Sequence, residues 1–150
     1  MDYIWSAVIG YLVGSIPIGF LVVRQLYRID IRRYGSGNIG FTNVFRTAGL
    51  APGLVVLAGD ILKGVLAVLL GRWLGGETAG MLGGLAAIAG HNWSLFLRFS
   101  GGRGVATGAG VFLALAPKVL AVAALIWVLT VACTRYVSLG SILGAISVPI

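Results

Sequence analysis

The residues able to do chemistry are few, and they are clustered. Residues 35–46 read GSGNIGFTNVFR. Glycines at 35, 37 and 40 permit positive φ and a concave backbone. Successive N–H groups along such a curve make an anion nest, with Gly37 at its centre. Ser36, Asn38, Thr42 and Asn43 add neutral donors, and Arg46 adds a planar, permanently charged fork suited to phosphate. A plain Gly/Asn-rich turn between two helices is the alternative, but the density of donors in an otherwise apolar chain favours an anion site. A second segment, SGGRG at residues 100–104, leads into an apolar run. A helix beginning there favours anions through its free N–H groups and its dipole. Gly101 and Gly102 would let the backbone approach the anion, and Arg103 would face the same charge. The spacing is not that of a phosphate-binding G-x-x-x-x-G-K-[ST] loop.

Other chemistry is scarce. His91 is the only histidine. One histidine without a Cys or carboxylate cluster builds no metal site, so His91 either hydrogen-bonds backbone at a helix end or contacts substrate. Asp60 and Lys63 stand at i and i+3 within an apolar run and so share one helix face. Ionisable groups in such a run are functional candidates facing the protein interior, or they brace the polar loops as a self-neutralised pair. The single cysteine, Cys133, allows no internal disulfide and reads as helix packing. No carboxylate pair and no Ser-His-Asp order stands out among four acidic residues. Binding and neutralising phosphates is the chemistry on offer, with no metal and no cofactor called for.

The elements that must position these residues follow from composition. Hydrophobic residues make up 59% of 150 and charged residues only 10%. Soluble domains carry about 25% charge, so too few charges remain to clothe a water-facing surface. That excludes an ordinary cytosolic enzyme, a disordered tail and a coiled coil, and leaves an all-α polytopic membrane protein. The net charge of +7 would suggest nucleic acid in a soluble protein. In a membrane protein it reports topology and an anionic substrate, so no nucleic-acid partner is expected. Apolar runs cover residues 3–23, 54–74, 79–99, 105–116, 119–134 and 137–150, giving about five to six spans. The fourth run makes a helix of only about 18 Å, short for a hydrocarbon core of ~30 Å.

Basic residues set the orientation. With the N-terminus outside, Arg24, Arg28, Arg32, Arg33, Arg46, Arg98, Arg103 and Arg135 fall on the cytoplasmic side, and only Arg72 and Lys118 fall outside. The positive-inside rule selects this layout. Both Gly-rich segments then lie on the cytoplasmic face, where one interfacial site could use them together. No repeat or linker is visible, so residues 1–150 read as a single integral-membrane domain.

At these motifs the chain resembles the bacterial acyl-phosphate:glycerol-3-phosphate acyltransferases of PlsY type. The likeness rests on GSGNIGFTNVFR and GGRGVAT. It extends through GS at 14–15, GDILKG at 59–64, GHNWSLFLRF at 90–99 and RYVSLGSI at 135–142. It implies a plasma-membrane enzyme that moves a fatty acyl group from acyl phosphate to the 1-hydroxyl of glycerol 3-phosphate, giving lysophosphatidic acid. It implies that Ser36, Asn38, Thr42 and Asn43 line the acyl-phosphate site, and that Arg46, Arg103 and Ser141 hold glycerol 3-phosphate. Ser36, Arg46 and Arg103 would then be the catalytic set, with Gly37, His91, Gly101 and Gly102 in the binding surface. The sequence departs from the family where Arg103 and Ser100 replace the lysines of KGGKG, and where Ser94 replaces a frequent proline. The family's third motif, His-Arg-x-Asn, is not found, so the chain is expected to be a C-terminally truncated member.

A mixed anhydride is already activated, so positioning two phosphates and offsetting their charge would carry most of the catalysis. The acceptor proton would pass to a substrate phosphate oxygen. Two alternatives stay open: an inactive truncated member that only binds phosphate ligands, and an anion transporter. The transporter would need polar access from both faces, and the outer side offers only Arg72, Glu77 and Lys118.

Overall fold

A computed structural model describes residues 1–148. These residues contain seven α-helices and no strand beyond one isolated bridge. Backbone contacts divide the chain into two compact units, residues 1–111 and 112–150.

In the first unit, α1 (Asp2–Ser15) and α2 (Ile18–Tyr27) are separated by a break at Ile16 and Pro17. Proline lacks an N–H and disfavours helix at the preceding residue, which explains a break inside what the sequence reads as one run. A 3₁₀ turn, Ile31–Arg33, leads to the Gly-rich segment, then to α3 (Phe41–Ala48) and α4 (Leu50–Asn92). At 43 residues α4 is about twice the length needed to cross a bilayer. Non-helical Gly75 and Gly76 fold it into two arms, so the second and third expected runs form a hairpin. An Arg72–Glu77 ion pair of 2.8 Å closes its turn.

Small residues set the packing of these helices, as is usual where lipid supplies no hydrophobic drive between them. A Cβ on Gly10 or Gly14 of α1 would overlap the backbone at Gly83 or Ala87. This constant offset shows that α1 runs parallel to the second arm of α4. Ser6 Oγ donates to the Ala79 carbonyl oxygen at 2.5 Å with the same offset. The start of α5 (Val105–Leu115) runs antiparallel to that arm, with Gly104 beside Asn92, Gly108 beside Ile88 and Val111 beside Gly84. The alternation of directions expected from the charge pattern is therefore present among α1, the two arms of α4 and α5.

In the second unit, α6 (Pro117–Thr134) and α7 (Val137–Ile146) form an antiparallel hairpin, with Gly140 against Val131 and Trp127 and Gly144 against Ala123. No residue of α6 is buried, and Cys133, expected in packing, is exposed. The last two residues of the sixth run, 149–150, lie outside the described residues.

Among the described residues, three helical segments are long and apolar enough to cross a membrane: Asp2–Tyr27, Leu50–Asn92 and Pro117–Thr134. The helices Val105–Leu115 and Val137–Ile146 are apolar but shorter. Among the described residues, each of the six apolar runs thus appears as helix over most of its length. The third run ends sooner than expected: α4 stops at Asn92, and residues 94–100 fold back on themselves through the Ser94–Ser100 bridge and the 3₁₀ turn Leu95–Leu97.

Candidate functional site

One small apolar cluster anchors both Gly-rich segments. Val23, Ile31, Ile39, Val44, Val56 and Leu97 are all buried in it. Ile39 lies within the first segment and Leu97 just precedes the second. Gly19 of α2 sits against the Ile39 carbonyl so closely that any side chain there would collide with it.

The first segment is built around one side chain, that of buried Asn43. Its Oδ1 accepts from the Ser36 N–H at 2.9 Å, and its Nδ2 donates to the carbonyl oxygens of Tyr34 at 3.0 Å and Asn38 at 2.8 Å. Gly35 and Gly37 take φ of +58° and +73°, values that glycine reaches without strain. The Gly37 N–H donates to the Tyr34 carbonyl at 3.0 Å and the Gly40 N–H to Asn38 Oδ1 at 2.8 Å. This corrects the expectation of a backbone anion nest. The N–H groups of residues 36, 37 and 40 are used inside the loop: two donate to the amide oxygens of Asn43 and Asn38 and one to the Tyr34 carbonyl. Ser36 is exposed, Thr42 half-buried and Arg46 exposed. Thr42 and Arg46 stand at i and i+4 on α3 and share a face.

The approach to this loop is stiffened by charge. Asp30 caps the 3₁₀ turn by accepting from the Arg32 N–H at 3.0 Å, and its carboxylate pairs with the Arg32 guanidinium at 2.7 Å. The side-chain hydrogen bond from Arg32 holds the Asp30 carboxyl at a pKa of about 2, below the usual 3.8. The Arg32 and Arg24 guanidinium groups lie 5.0 and 5.9 Å from the Phe20 ring centroid.

The second segment wraps the end of α4. The Gly102 N–H donates to the His91 carbonyl at 3.0 Å. A Cβ on Gly101 would overlap that carbonyl oxygen, and one on Gly102 would overlap the His91 ring. Two adjacent glycines are therefore a steric requirement here. Arg98 and Phe99 hold left-handed φ of 56° and 60°, uncommon for residues with side chains. The turn is tied down at Ser94, whose Oγ donates to the Ser15 carbonyl at 2.5 Å and whose carbonyl accepts from the Phe99 N–H at 2.8 Å. Ser100 Oγ donates to the Leu97 carbonyl at 2.7 Å. Arg103 is exposed at the start of α5.

His91 itself is buried and stands behind the loop, its Nδ1 3.5 Å from Asp60 Oδ1. Lys63 Nζ is 2.9 Å from the same oxygen. Ser141 belongs to the second unit, where its Oγ donates to the Val137 carbonyl at 3.0 Å and accepts from Trp127 Nε1 at 3.4 Å. Every other residue expected in the substrate site lies in the first unit. The internal role of Asn43 and the links from Ser94 to Ser15 and from Lys63 to the helix break were not foreseen.

Residues 4–150 match the family model described as glycerol-3-phosphate acyltransferase. The chain belongs to the glycerol-3-phosphate acyltransferase family. It is similar to "Glycerol-3-phosphate acyltransferase 2" of Moorella thermoacetica, 58% identical over 147 residues that cover 98% of this chain and 76% of the relative. It is also similar to the glycerol-3-phosphate acyltransferase of Desulforamulus reducens, 57% identical over 93% of this chain and 70% of that one. The crystal structure of PlsY in its glycerol 3-phosphate form superposes with a TM-score of 0.91 at 37% identity, covering 99% of this chain and 74% of that one. A lysophosphatidic acid form of PlsY superposes at 0.89. The acyltransferase fold described above is thus that of an integral membrane enzyme.

Proposed function

We propose that this acyltransferase takes its fatty acyl group from acyl phosphate and delivers it to the 1-hydroxyl of glycerol 3-phosphate, releasing lysophosphatidic acid and phosphate. The observation that carries this is the likeness, over 99% of this chain and 74% of theirs, to the glycerol 3-phosphate and lysophosphatidic acid forms of PlsY. It is supported by two Gly-rich loops anchored on one apolar cluster. In this reading Ser36, Gly37, Asn38 and Thr42 surround the acyl phosphate, with Asn43 holding their backbone in place. Arg46 and Arg103 hold glycerol 3-phosphate, and Gly101 and Gly102 shape the loop that presents Arg103. All 150 residues are taken as part of one integral-membrane acyltransferase domain, in the bacterial inner membrane with both loops on the cytoplasmic face. The excess of arginine beside those loops supports that orientation.

The bonds balance without a covalent enzyme intermediate. The 1-hydroxyl oxygen attacks the acyl carbonyl carbon, and the bond from that carbon to the phosphate oxygen breaks. Phosphate leaves with the electron pair, and the hydroxyl proton passes to a phosphate oxygen. The guanidinium groups of Arg46 and Arg103 offset the charge gathered in the transition state. The test is a comparison of donors: protein in detergent is given radiolabelled glycerol 3-phosphate with palmitoyl phosphate, or with palmitoyl-coenzyme A. Labelled lysophosphatidic acid from palmitoyl phosphate alone is the expected result. Equal or greater product from the thioester would refute the donor assignment, and labelled acyl-enzyme trapped on Ser36 would refute the direct transfer.

A further inference from the structure

A buried polar cluster lies between the α1–α2 break and the second Gly-rich loop, and the transfer chemistry above does not use it. It starts at the α1–α2 break, where the Ile16 carbonyl oxygen accepts from Lys63 Nζ at 3.0 Å. Lys63 Nζ is paired with Asp60 Oδ1 at 2.9 Å, and the same oxygen lies 3.5 Å from His91 Nδ1, both as charge contacts without hydrogen-bond geometry. The His91 carbonyl receives the Gly102 N–H at 3.0 Å, and its ring packs against the Gly102 backbone. Lys63, Asp60 and His91 are 4%, 2% and 3% exposed.

Burying three ionisable groups in an apolar helix pair is costly unless they are paired with good geometry. A self-neutralised i, i+3 pair would need no further partner. This pair reaches two other points of the chain: the α1–α2 break, from which α2 leads to the first loop and to which Ser94 is also bonded, and the His91 end of the second loop. Beyond the break, α2 carries Gly19, which fits against the Ile39 carbonyl of the first loop. At the other end is the backbone of the second loop.

We propose that Asp60 is a positioning residue that sets the two loops in register, holding the Gly101–Gly102 backbone through His91 and the α1–α2 break through Lys63. His91 accordingly acts from behind the loop. The proposal rests on the loops holding the two phosphates, and it deepens that reading by naming what aligns them.

The test uses two variants of the full chain in detergent. Asp60→Asn combined with Lys63→Met removes the relay without stranding a charge, and His91→Gln removes only its last link. Amide hydrogen exchange is read over peptides covering residues 99–104 and 35–40, beside the melting temperature and the kinetic constants. In both variants we expect exchange at residues 99–104 to rise at least tenfold. We also expect KM for glycerol 3-phosphate to rise at least tenfold, kcat to fall less than threefold, and the melting temperature to change little. In the double variant exchange at residues 35–40 rises as well. Exchange rising uniformly along α1 and α4, together with a fall in melting temperature, would make the relay a packing feature and overturn the proposal. So would unchanged loop exchange in His91→Gln, which decides the matter if the double variant does not fold. If the unmodified protein transfers no acyl group, the functional reading fails separately, and the exchange data still decide the positioning role.

Discussion

Replacing Asn43 with alanine removes the side chain around which the first loop is wound. Three hydrogen bonds disappear, to Ser36 N–H and to the carbonyl oxygens of Tyr34 and Asn38. A typical intramolecular hydrogen bond contributes about 1 kcal/mol net. The three together therefore hold the loop's folded conformation by about 3 kcal/mol, since Asn43 is buried and water does not readily replace it. At 1.4 kcal/mol per factor of ten, the population of the ordered loop relative to opened forms falls by about a hundredfold. The helices keep their packing, because Asn43 contributes no hydrogen bond to them beyond the backbone. The expected outcome is a loss in kcat/KM of up to about a hundredfold with unchanged helical circular dichroism and faster amide exchange at Ser36. Asn43→Asp should do no better, since it keeps the acceptor for Ser36 but turns a carboxylate on two carbonyl oxygens. An Asn43→Ala protein within threefold of wild-type kcat/KM, with Ser36 exchange unchanged, would refute the reasoning.

Two further outcomes follow from the same geometry. Gly102→Ala places a methyl group in the His91 ring, so the loop must move; acyl transfer should fall at least tenfold, while a change at Gly108, where a Cβ meets only Ile88 at 3.8 Å, should be tolerated. Asp30 has a folded pKa of about 2 against 3.8, so its ionised form stabilises the folded state above pH 4, and that contribution is lost as pH falls from about 4 to about 2. Thermal melts of Asp30→Asn should therefore lie below wild type at pH 7 and converge with it near pH 2; a constant gap across that range would remove the Asp30–Arg32 pair as the cause.

Much of this molecule is legible in its sequence. The six apolar runs become helices because a chain with so little charge must satisfy its backbone internally in lipid. The two loops stand out because GSGNIGFTNVFR and SGGRG are the main polar stretches between those runs. What stayed hidden depends on contacts distant along the chain. The early end of α4 is set by Ser94 reaching Ser15, which no local propensity reports. Three N–H groups of the nest expected at residues 35–40 are taken inside the loop, by Asn43, Asn38 and the Tyr34 carbonyl. Composition gives their donor and acceptor count but not where they point. The pairing of Asp60 with Lys63 was visible at i, i+3, whereas the approach of His91 to the same carboxylate required the hairpin at Gly75 and Gly76.

The most direct measurement is the steady-state rate of labelled lysophosphatidic acid formation from palmitoyl phosphate and glycerol 3-phosphate by the protein and by Arg46→Ala and Arg103→Ala. Charge-assisted hydrogen bonds contribute about 1.5–3 kcal/mol each, so each variant should lose roughly tenfold to a hundredfold or more in kcat/KM for glycerol 3-phosphate. Both variants transferring acyl groups at the wild-type rate would contradict a site built from the two loops.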